Sequence, residues 1–288
     1  MKKIWIIGCG DIGRRLVHLY QSANKLPSIT GLVNSQNSYE ACSNLGIACQ
    51  IINLDNAESV ETVNKNDFKD CQLFYFAPPP SDGKQDTRLS LFLEKAGDAP
   101  KRIVLISTTG VYGDSKGEWI DEKTPVSPVA DRAHRRLSAE ISLKKWAQTS
   151  HREYMILRVP GIYAQDRLPL ARLQKGSPVV NEAEAGFTNR IHADDLAQAC
   201  LLAMESPHSN EIINITDGQP STMTDCFNQV ADFAGLPRPP QISMQEAEKT
   251  LSAGMVSYLK ESRRIKNQKM LEVLGINLKF PSLKSAFL

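Results

Sequence analysis

The sequence predicts an α/β protein built around a doubly wound parallel sheet. The run from Lys3 to Ile7 is apolar and too short for a helix, and it leads directly into glycines spaced G-x-G-x-x-G. Further apolar runs alternate with helical patterns as far as residue 107, an order that is typical of parallel sheets. The chain has 288 residues, of which 41% are hydrophobic, so it is long enough for one large α/β domain with a smaller appendage.

The glycine segment predicts a strand, a tight turn and a helix, and each glycine has its own role. We expect Gly8 to form the turn, Gly10 to leave the backbone bare for a pyrophosphate, and Gly13 to let the helix pack closely on the strand. The helix then begins at Asp11 and Ile12, where free N–H groups and the helix dipole favour phosphate. These five residues are the first predicted contacts of a dinucleotide.

The second strand is predicted at residues 29–33, and the residue after it normally distinguishes NAD from NADP. Sheets of this type that prefer NAD carry an acidic residue there to bind the ribose hydroxyls, whereas this chain has Asn34 and Ser35. Without that carboxylate a 2′-phosphate is not repelled, and Arg14 or Arg15 offers a positive charge. The cofactor is therefore NAD or NADP with a lean to NADP, although a solvated helix face explains both arginines equally well.

Three more strands complete the predicted sheet. The third covers residues 48–53 and is followed by Asp55. The fourth, residues 72–77, ends at a run of prolines that cannot continue a strand, and the fifth covers residues 102–107. Ligands bind at the carboxyl ends of such strands, so Asp55, Ala77 and Pro78 are predicted cofactor contacts.

Composition excludes several classes of partner. The net charge is +2, and the basic residues are interspersed with acidic ones, so the stripe that holds nucleic acid is absent from the sequence. No apolar run is long enough to span a bilayer. The six cysteines lack metal-binding spacing and fit buried thiols in a reducing compartment. We expect a cytoplasmic protein with a small-molecule partner and no metal site.

Several later segments carry recognisable motifs. They are Ser107–Gly113 with Trp119–Pro125, Leu157–Tyr163, Thr188–Ala197, Gly218–Pro220 and Lys269–Gly275. In this order they resemble the fifth-strand exit, the sixth-strand motif, the segment that returns to the main domain, and two C-terminal motifs of the NAD-dependent epimerase/dehydratase family, the extended short-chain dehydrogenase/reductases. The opening glycine spacing differs from the family's usual G-x-x-G-x-x-G and is typical of its atypical subgroup.

The resemblance implies a Rossmann-type domain with a smaller C-terminal substrate-binding lobe. The Rossmann domain is expected at 1–166, with 190–216 returning to it, and the lobe at 167–189 and 217–288. The resemblance also implies an epimerase, dehydratase or reductase that acts on a sugar-like or nucleotide-linked substrate. By analogy the protein is expected to form a homodimer.

The family's catalytic pair is missing from this sequence. Family members place a Tyr and a Lys four residues apart on one helix, where the ammonium lowers the phenol pKa for proton exchange. Alignment on Ala139 and Glu140 puts Arg132 and Arg136 at these two positions. Arginine stays protonated and cannot act as the base.

Tyr112 and Lys116 also have the required spacing, but we interpret this as coincidence. Gly113 and Gly117 disfavour a continuous helix there, and without a helix the two side chains do not share a face. Tyr112 is already explained by the strand-exit motif.

The remaining predicted site residues lie near the expected nicotinamide. The resemblance assigns substrate orientation to Thr108 and a cofactor contact to Pro160. Tyr163 is the best spare phenol for catalysis, although packing explains it better. We expect His192 and Asp195 to be structural, with Asp195 capping or supporting a helix over 196–204, and Arg158 to form an ion pair within the sheet.

The basic residues Arg132, Arg135 and Arg136 suggest an alternative use of this helix. Guanidinium groups at the mouth of the pocket can bind a carboxylate or phosphate of the substrate, or the 2′-phosphate side of the cofactor; a solvated basic face is the competing interpretation. The loss of the Tyr/Lys pair also leaves open a second functional class, a non-enzymatic NAD(P)(H) sensor.

Overall fold

The computed structural model describes residues 2–23 and 27–287 and contains one large sheet with helices on both faces. The strands, in chain order, are β1 (Lys3–Ile7), β2 (Ser28–Val33), β3 (Ala48–Ile51), β4 (Gln72–Tyr75), β5 (Arg102–Thr108), β6 (Trp119–Ile120), β7 (Glu153–Val159), β8 (Gly161–Tyr163), β9 (Val179–Val180), β10 (Phe187–Thr188), β11 (Arg190–His192), β12 (Glu211–Asn214), β13 (Ser221–Thr222), β14 (Gln241–Ile242) and β15 (Arg264–Ile265). The helices are α1 (Asp11–Ser22), α2 (Gln36–Ser43), α3 (Ala57–Glu61), α4 (Thr87–Ala96), α5 (Asp131–Ser150), α6 (Leu170–Gln174), α7 (Ala193–Glu205), α8 (Met223–Ala234), α9 (Met244–Thr250), α10 (Ala253–Leu259) and α11 (Gln268–Leu274).

The large sheet has the order β12-β7-β5-β4-β1-β2-β3, and every neighbouring pair of its strands is parallel. Strand order reverses direction between β1 and β4, where a crevice opens at the carboxyl ends of the strands. The predicted doubly wound Rossmann-type sheet is confirmed. The predicted fourth strand runs two residues too far, since β4 ends at Tyr75.

Two apolar layers sandwich the sheet because its strands are buried on both faces. One layer joins β1 and β4 to α1 and α7 through buried side chains such as Ile4, Phe74 and Leu196. The other joins the sheet to α4 and α5 through side chains that include Trp5 and Tyr75. Within the described residues, no helix combines the length and apolar character that a membrane span needs.

The C-terminal part divides between the lobe and the main domain. Val179, Phe227 and Val230 form the buried centre of a separate cluster, as expected for a small lobe. In contrast, Met270 and Leu274 of α11 pack in the main core, next to α7 and β12. The expected lobe boundary at 217–288 therefore needs correction, because α11 covers the main sheet rather than the lobe.

Residues 190–216 return to the large sheet. They form β11, α7 and β12; α7 packs against α1, and β12 adds the edge strand next to β7. The carboxylate of Asp195 on α7 accepts hydrogen bonds from the backbone N–H groups of Lys279 (2.8 Å) and Phe280 (2.9 Å). It therefore fixes the C-terminal segment and does not cap a helix. The cap of α7 is His192, whose Nδ1 accepts from the amide of Asp194.

Candidate functional site

The glycine turn between β1 and α1 has the geometry predicted for a phosphate cradle. Gly8 has φ +82°, and a Cβ added to it would lie 2.5 Å from the backbone nitrogen of Ala77. A Cβ on Gly10 would meet only the carbonyl oxygen of Gly8, at 3.9 Å, among the described residues. One on Gly13 would touch Ile6 and Cys9 at 3.1 Å. The first and third glycines therefore serve close packing, and the second leaves backbone open to a ligand.

Helix α1 begins at Asp11, with Gly10 as its side-chain-free N-cap. The side chains of Asp11 and Ile12, two of the predicted cofactor contacts, are engaged within the protein. The Asp11 carboxylate accepts from Arg15 (2.9 Å) and Arg167 (3.0 Å), and Ile12 is 9% exposed in the core. Both residues therefore offer only their backbone N–H groups to a phosphate.

A cleft of about 280 Å³ opens beside this turn. It contains six of the predicted cofactor residues, namely Gly8, Gly10, Asn34, Asp55, Ala77 and Pro78. Ile52 and Leu54 give it apolar walls, and Ser38 and Arg88 add polar groups that sequence reasoning missed. An elongated cleft with a bare turn at one end and apolar walls at the other suits a dinucleotide.

The side chain of Ser35 caps a helix and does not line the cleft. Its hydroxyl accepts from the amide of Ser38 (3.3 Å) at the start of α2. Ser35 therefore sets the direction of α2, while Asn34 and Ser38 lie in the cleft wall. This cap could have been predicted from the sequence, because serine is a preferred N-cap residue.

The positive charge predicted for a 2′-phosphate does not come from Arg15. Its guanidinium donates to Asp11, Asp194 (2.6 Å) and Asp166 (3.1 Å). Arg14 and Arg15 also line a separate surface depression together with His18. The charge argument for NADP is corrected accordingly.

Arg88 is the cation that does lie in the cleft. Its Nε donates to Asp55 (2.7 Å) and its Nη1 to the carbonyl of Pro78 (3.0 Å). Hydrogen bonding to this guanidinium lowers the pKa of the Asp55 carboxyl. The pair joins the segment after β3 to the start of α4 at the Asp55 end of the cleft. Its two residues are 33 positions apart in the sequence, so no local pattern indicates the contact.

A second site lies at the carboxyl end of β5. Thr108, Arg132, Arg136 and Pro160 together line a cavity of about 350 Å³, which is partly walled by apolar side chains such as Ile106. Thr108, Arg132 and Pro160 also line a smaller adjoining space of about 200 Å³. The structure thus brings together four of the residues singled out from the sequence.

Thr108 occupies the junction between the sheet and this cavity. It is the last residue of β5, and its Oγ1 accepts from the amide of Gly110 (3.2 Å). That bond leaves the hydroxyl proton available to a ligand.

The three arginines of α5 have different surroundings. Arg135 is buried, donates to the carbonyl of Gly83 (2.7 Å), and does not line the cavity with the other two. Arg136 lines the cavity, and its guanidinium has one weak contact, 3.4 Å, to the carbonyl of Ala77. Burial lowers the pKa of Arg136, which means that its positive charge is poorly solvated. Arg132 is exposed at the mouth of both spaces.

The opposite wall comes from residues that the sequence analysis did not select. Tyr258, Glu261 and Arg263 all line the smaller space, and Glu261 reaches the larger one as well. Arg263 donates to Glu261 (2.7 Å) and to the carbonyl of Gly113 (2.6 Å). Burial raises the pKa of the Tyr258 phenol. These residues follow Arg132 by more than a hundred positions, and no motif marks them.

Tyr163 does not line the Thr108 cavity, and its candidate role in catalysis is corrected to packing. The ring is 6% exposed, and its hydroxyl donates to the carbonyl of Phe280 (3.3 Å). Burial raises the pKa of this phenol, which disfavours the phenolate. His192 meets the same ring edge-on at 5.2 Å and stacks on Phe280, as a structural histidine would.

Tyr112 and Lys116 do not form the Tyr/Lys pair. Tyr112 ends a short turn, and Gly113 follows it with φ +69°. The Tyr112 hydroxyl is buried and donates to Asn214 (2.9 Å). The predicted coincidence is confirmed.

A buried ion pair fixes α5 against the sheet. Arg158 donates two hydrogen bonds to Glu140 (2.8 and 3.0 Å), whose side chain is fully buried. Ser107 donates to the same carboxylate (2.6 Å). The predicted ion pair of Arg158 is confirmed, and it positions Arg132 and Arg136 relative to the end of β5.

Comparison with known proteins agrees with this geometry. The model of the NAD dependent epimerase/dehydratase family matches residues 86–216, which include β5, α5 and the returning segment. Over this segment the chain is similar to the NAD-dependent epimerase/dehydratase family. The match covers both Thr108 and the two arginine positions.

Individual relatives cover most of this chain. Protein YeeZ of Escherichia coli is 26% identical over 247 residues, covering 84% of this chain and 86% of its own. A functionally unknown conserved protein from Silicibacter pomeroyi has 25% identity and a TM-score of 0.83, with 100% of this chain and 97% of its own covered. The fold also matches that of dTDP-glucose 4,6-dehydratase from Bacillus anthracis, in complex with NAD, at 18% identity and a TM-score of 0.78, over 100% and 94% of the two chains.

Compared with the pattern that the resemblance predicts, this chain has an open cleft and a cavity with different side chains. The bare Gly10 turn and the Asp55 end of the cleft are present. At the expected Tyr and Lys positions, Arg132 and Arg136 face the Thr108 cavity. The departure seen in the sequence therefore lies inside the candidate active site and not on a remote surface.

Proposed function

We propose that this protein binds NAD or NADP in the cleft and acts as an epimerase, dehydratase or reductase on a sugar-like or nucleotide-linked small molecule. The observation that carries the proposal is the bare turn at Gly10, which lines the cleft and where an added Cβ would have only the carbonyl oxygen of Gly8 within 4 Å among the described residues. That space, at the start of α1, suits a pyrophosphate.

The residues that would hold the cofactor divide along the cleft. The amides at the start of α1 bind the diphosphate, Asn34 and Ser38 lie at the ribose wall, and Asp55 lies among the apolar residues of the adenine end. When bound, the nicotinamide supplies a hydride donor or acceptor. With Asn34 in place of an acidic residue, we expect both NAD and NADP to bind.

On the substrate side, this chain's own residues orient the ligand and exclude water. Thr108 keeps its hydroxyl proton available to a substrate oxygen, because its Oγ1 already accepts from Gly110. Arg132 and Arg136 provide positive charge on one wall, and Glu261 provides a carboxylate on the other. Glu261 is the group in this cavity that can exchange a proton, since the arginines stay protonated.

The test is calorimetric titration with NAD, NADH, NADP and NADPH, comparing the wild type with Gly10→Ala. The alanine fits the backbone without a clash, so the variant should unfold at the same denaturant concentration as the wild type but bind nucleotide at least about tenfold more weakly. Flat titrations with all four nucleotides on folded wild-type protein would falsify the proposal.

A second candidate function is a non-catalytic NAD(P)(H) sensor. The replacement of the expected phenol and ammonium by Arg132 and Arg136 favours it, because neither guanidinium exchanges protons at working pH. Absorbance at the reduced-nicotinamide band, followed with a broad panel of sugars and nucleotide sugars, separates the two candidates. Tight binding without turnover on the whole panel supports the sensor.

We also infer a cytoplasmic homodimer whose partner is a small molecule rather than nucleic acid. The even mixture of charges supports the small-molecule partner. The dimer is inferred by analogy with sheets of this type, in which two helices often pair across subunits, and Ile141, 58% exposed on α5, is a side chain that such a pairing would cover. Sedimentation of the wild type and of Ile141→Glu tests the dimer.

A further inference from the structure

The guanidinium of Arg136 is half-buried at the cavity wall and lacks a matching anion among the described residues. In the described part of the chain, no carboxylate lies within ion-pair distance of it, and its hydrogen bond to Ala77 is long. The nearest acidic influence is Asp86, a buried side chain whose Oδ1 accepts from the amide of Leu89. A buried charge is costly unless it is paired. Arg136 is therefore a site that an incoming anion would stabilise.

Arg132 lies one helical turn before Arg136 and faces the same cavity. Side chains four positions apart share one face of a helix. Arg135, by contrast, does not line this cavity, and its Nη1 donates to the carbonyl of Gly83. Two guanidinium groups on one wall can bind the two oxygens of a planar anion.

The other walls of the cavity indicate which class of anion fits there. Ile106, Val159 and Ile162 present apolar surface to the larger space, which suits a carbon skeleton. Glu261 faces the arginines from the lobe, with Arg263 neutralising part of its charge. A dianionic phosphate would meet more repulsion from Glu261 than a carboxylate would.

We propose that the cavity between Arg132, Arg136 and Thr108 binds the carboxylate of a small acidic substrate. The inference rests on the proposed function in one respect, namely that this ligand would be the substrate of the nucleotide-dependent reaction. The two arginines then bind and orient the substrate at the positions where the family has its proton-transfer pair. The carbon chain lies against the apolar wall, and Glu261 is left on the opposite side to exchange a proton.

The experiment titrates oxalate, malonate and inorganic phosphate into the protein, with and without saturating NADH, by thermal shift and calorimetry. Oxalate or malonate should raise the melting temperature of the wild type. Arg132→Gln and Arg136→Gln should each weaken that binding by about tenfold or more, as expected for the loss of a charge-assisted hydrogen bond. Lys145→Gln is the matched control, because it removes one positive charge from the exposed face of the same helix.

Each outcome has a definite meaning. Carboxylate binding that both arginine variants weaken and Lys145→Gln leaves unchanged supports the proposal. Phosphate binding in preference to both carboxylates, or carboxylate binding that survives in Arg132→Gln and Arg136→Gln, overturns it. Nucleotide binding is measured on the same samples: if it is normal while carboxylates fail to bind, only this inference is lost, and if no nucleotide binds, the proposed function is lost.

Discussion

The cleft beside Gly10 and the cavity around Arg132 lie at the same edge of one sheet, yet they are constructed differently. The cleft is formed mainly by backbone and apolar side chains directly after the strand ends, as at Gly8 and Ala77. The cavity is formed by charged side chains from α5 and from a segment more than a hundred residues later, such as Glu261. Added side-chain atoms at a tightly packed glycine such as Gly8 should therefore disrupt the cleft. The cavity, in contrast, can take on a different chemistry when its side chains are replaced.

The strictest test of the backbone-built cleft is Gly8→Ala. The new Cβ would lie 2.5 Å from the nitrogen of Ala77 and would force β1 and β4 apart. We expect a loss of folding free energy on the order of 5 kcal/mol, measured by urea unfolding, or no folded protein at all.

Gly46→Ala is the control for this prediction. Gly46 has a similar φ of +72°, but an added Cβ there has no described atom within 4 Å. It should lose only about 1 kcal/mol, from backbone strain alone. Equal losses in the two variants would show that strain, not the contact with Ala77, governs the turn.

On the cavity side, the largest expected effect comes from Glu140→Gln. The substitution leaves the buried Arg158 without its counter-charge, so we expect a loss of about 3–5 kcal/mol in urea unfolding. Glu205→Gln, which breaks an exposed pair with Lys2, should change stability by less than about 1 kcal/mol. If Glu140→Gln lost as little stability as Glu205→Gln, α5 would be held against the sheet by apolar packing alone.

The junction between the main domain and the lobe should show a pH dependence around neutrality, because Asp217 lies there. Burial raises the pKa of Asp217 to about 7. Its contribution to stability is thus fully present below the unfolded pKa near 4 and is lost as the pH rises through about 7. Asp217→Asn should therefore be more stable than the wild type at pH 8, by on the order of 3 kcal/mol, with the difference vanishing near pH 4.

Unfolding curves of Asp217→Asn and the wild type at several pH values measure that difference directly. Asparagine keeps the acceptor for the amide of Gln219, so the local turn is retained. A difference that is constant from pH 4 to 8 would contradict the proposed titration.

The smallest effect is expected at the charged end of the cleft. Asp55 is half exposed, and its pair with Arg88 is open to solvent. Asp55→Asn should change stability by less than about 1 kcal/mol, while altering nucleotide affinity in the same calorimetric assay. A stability loss as large as that of Glu140→Gln would contradict the contrast between the solvent-exposed pair Asp55–Arg88 and the buried pair Glu140–Arg158.

The two regions also differed in how well the sequence predicted them. The turn at Gly8, Gly10 and Gly13 was predictable because its geometry is specified by neighbouring residues. Glu261, Arg263 and Arg88 were not, because their positions depend on how distant segments fold back. Arg135 is an intermediate case. The sequence placed it on the correct helix, but its side chain does not line the cavity, because adjacent residues on a helix face different neighbours.

Asp195 joins α7 to the C-terminal segment through the amides of both Lys279 and Phe280. The ring of Phe280 is also stacked on His192, and its carbonyl holds Tyr163. These contacts share one anchoring point, so the two amides become accessible to solvent hydrogen exchange together rather than one after the other. Amide protons at 279 and 280 should consequently exchange with deuterium at a common, slow rate set by a single cooperative opening.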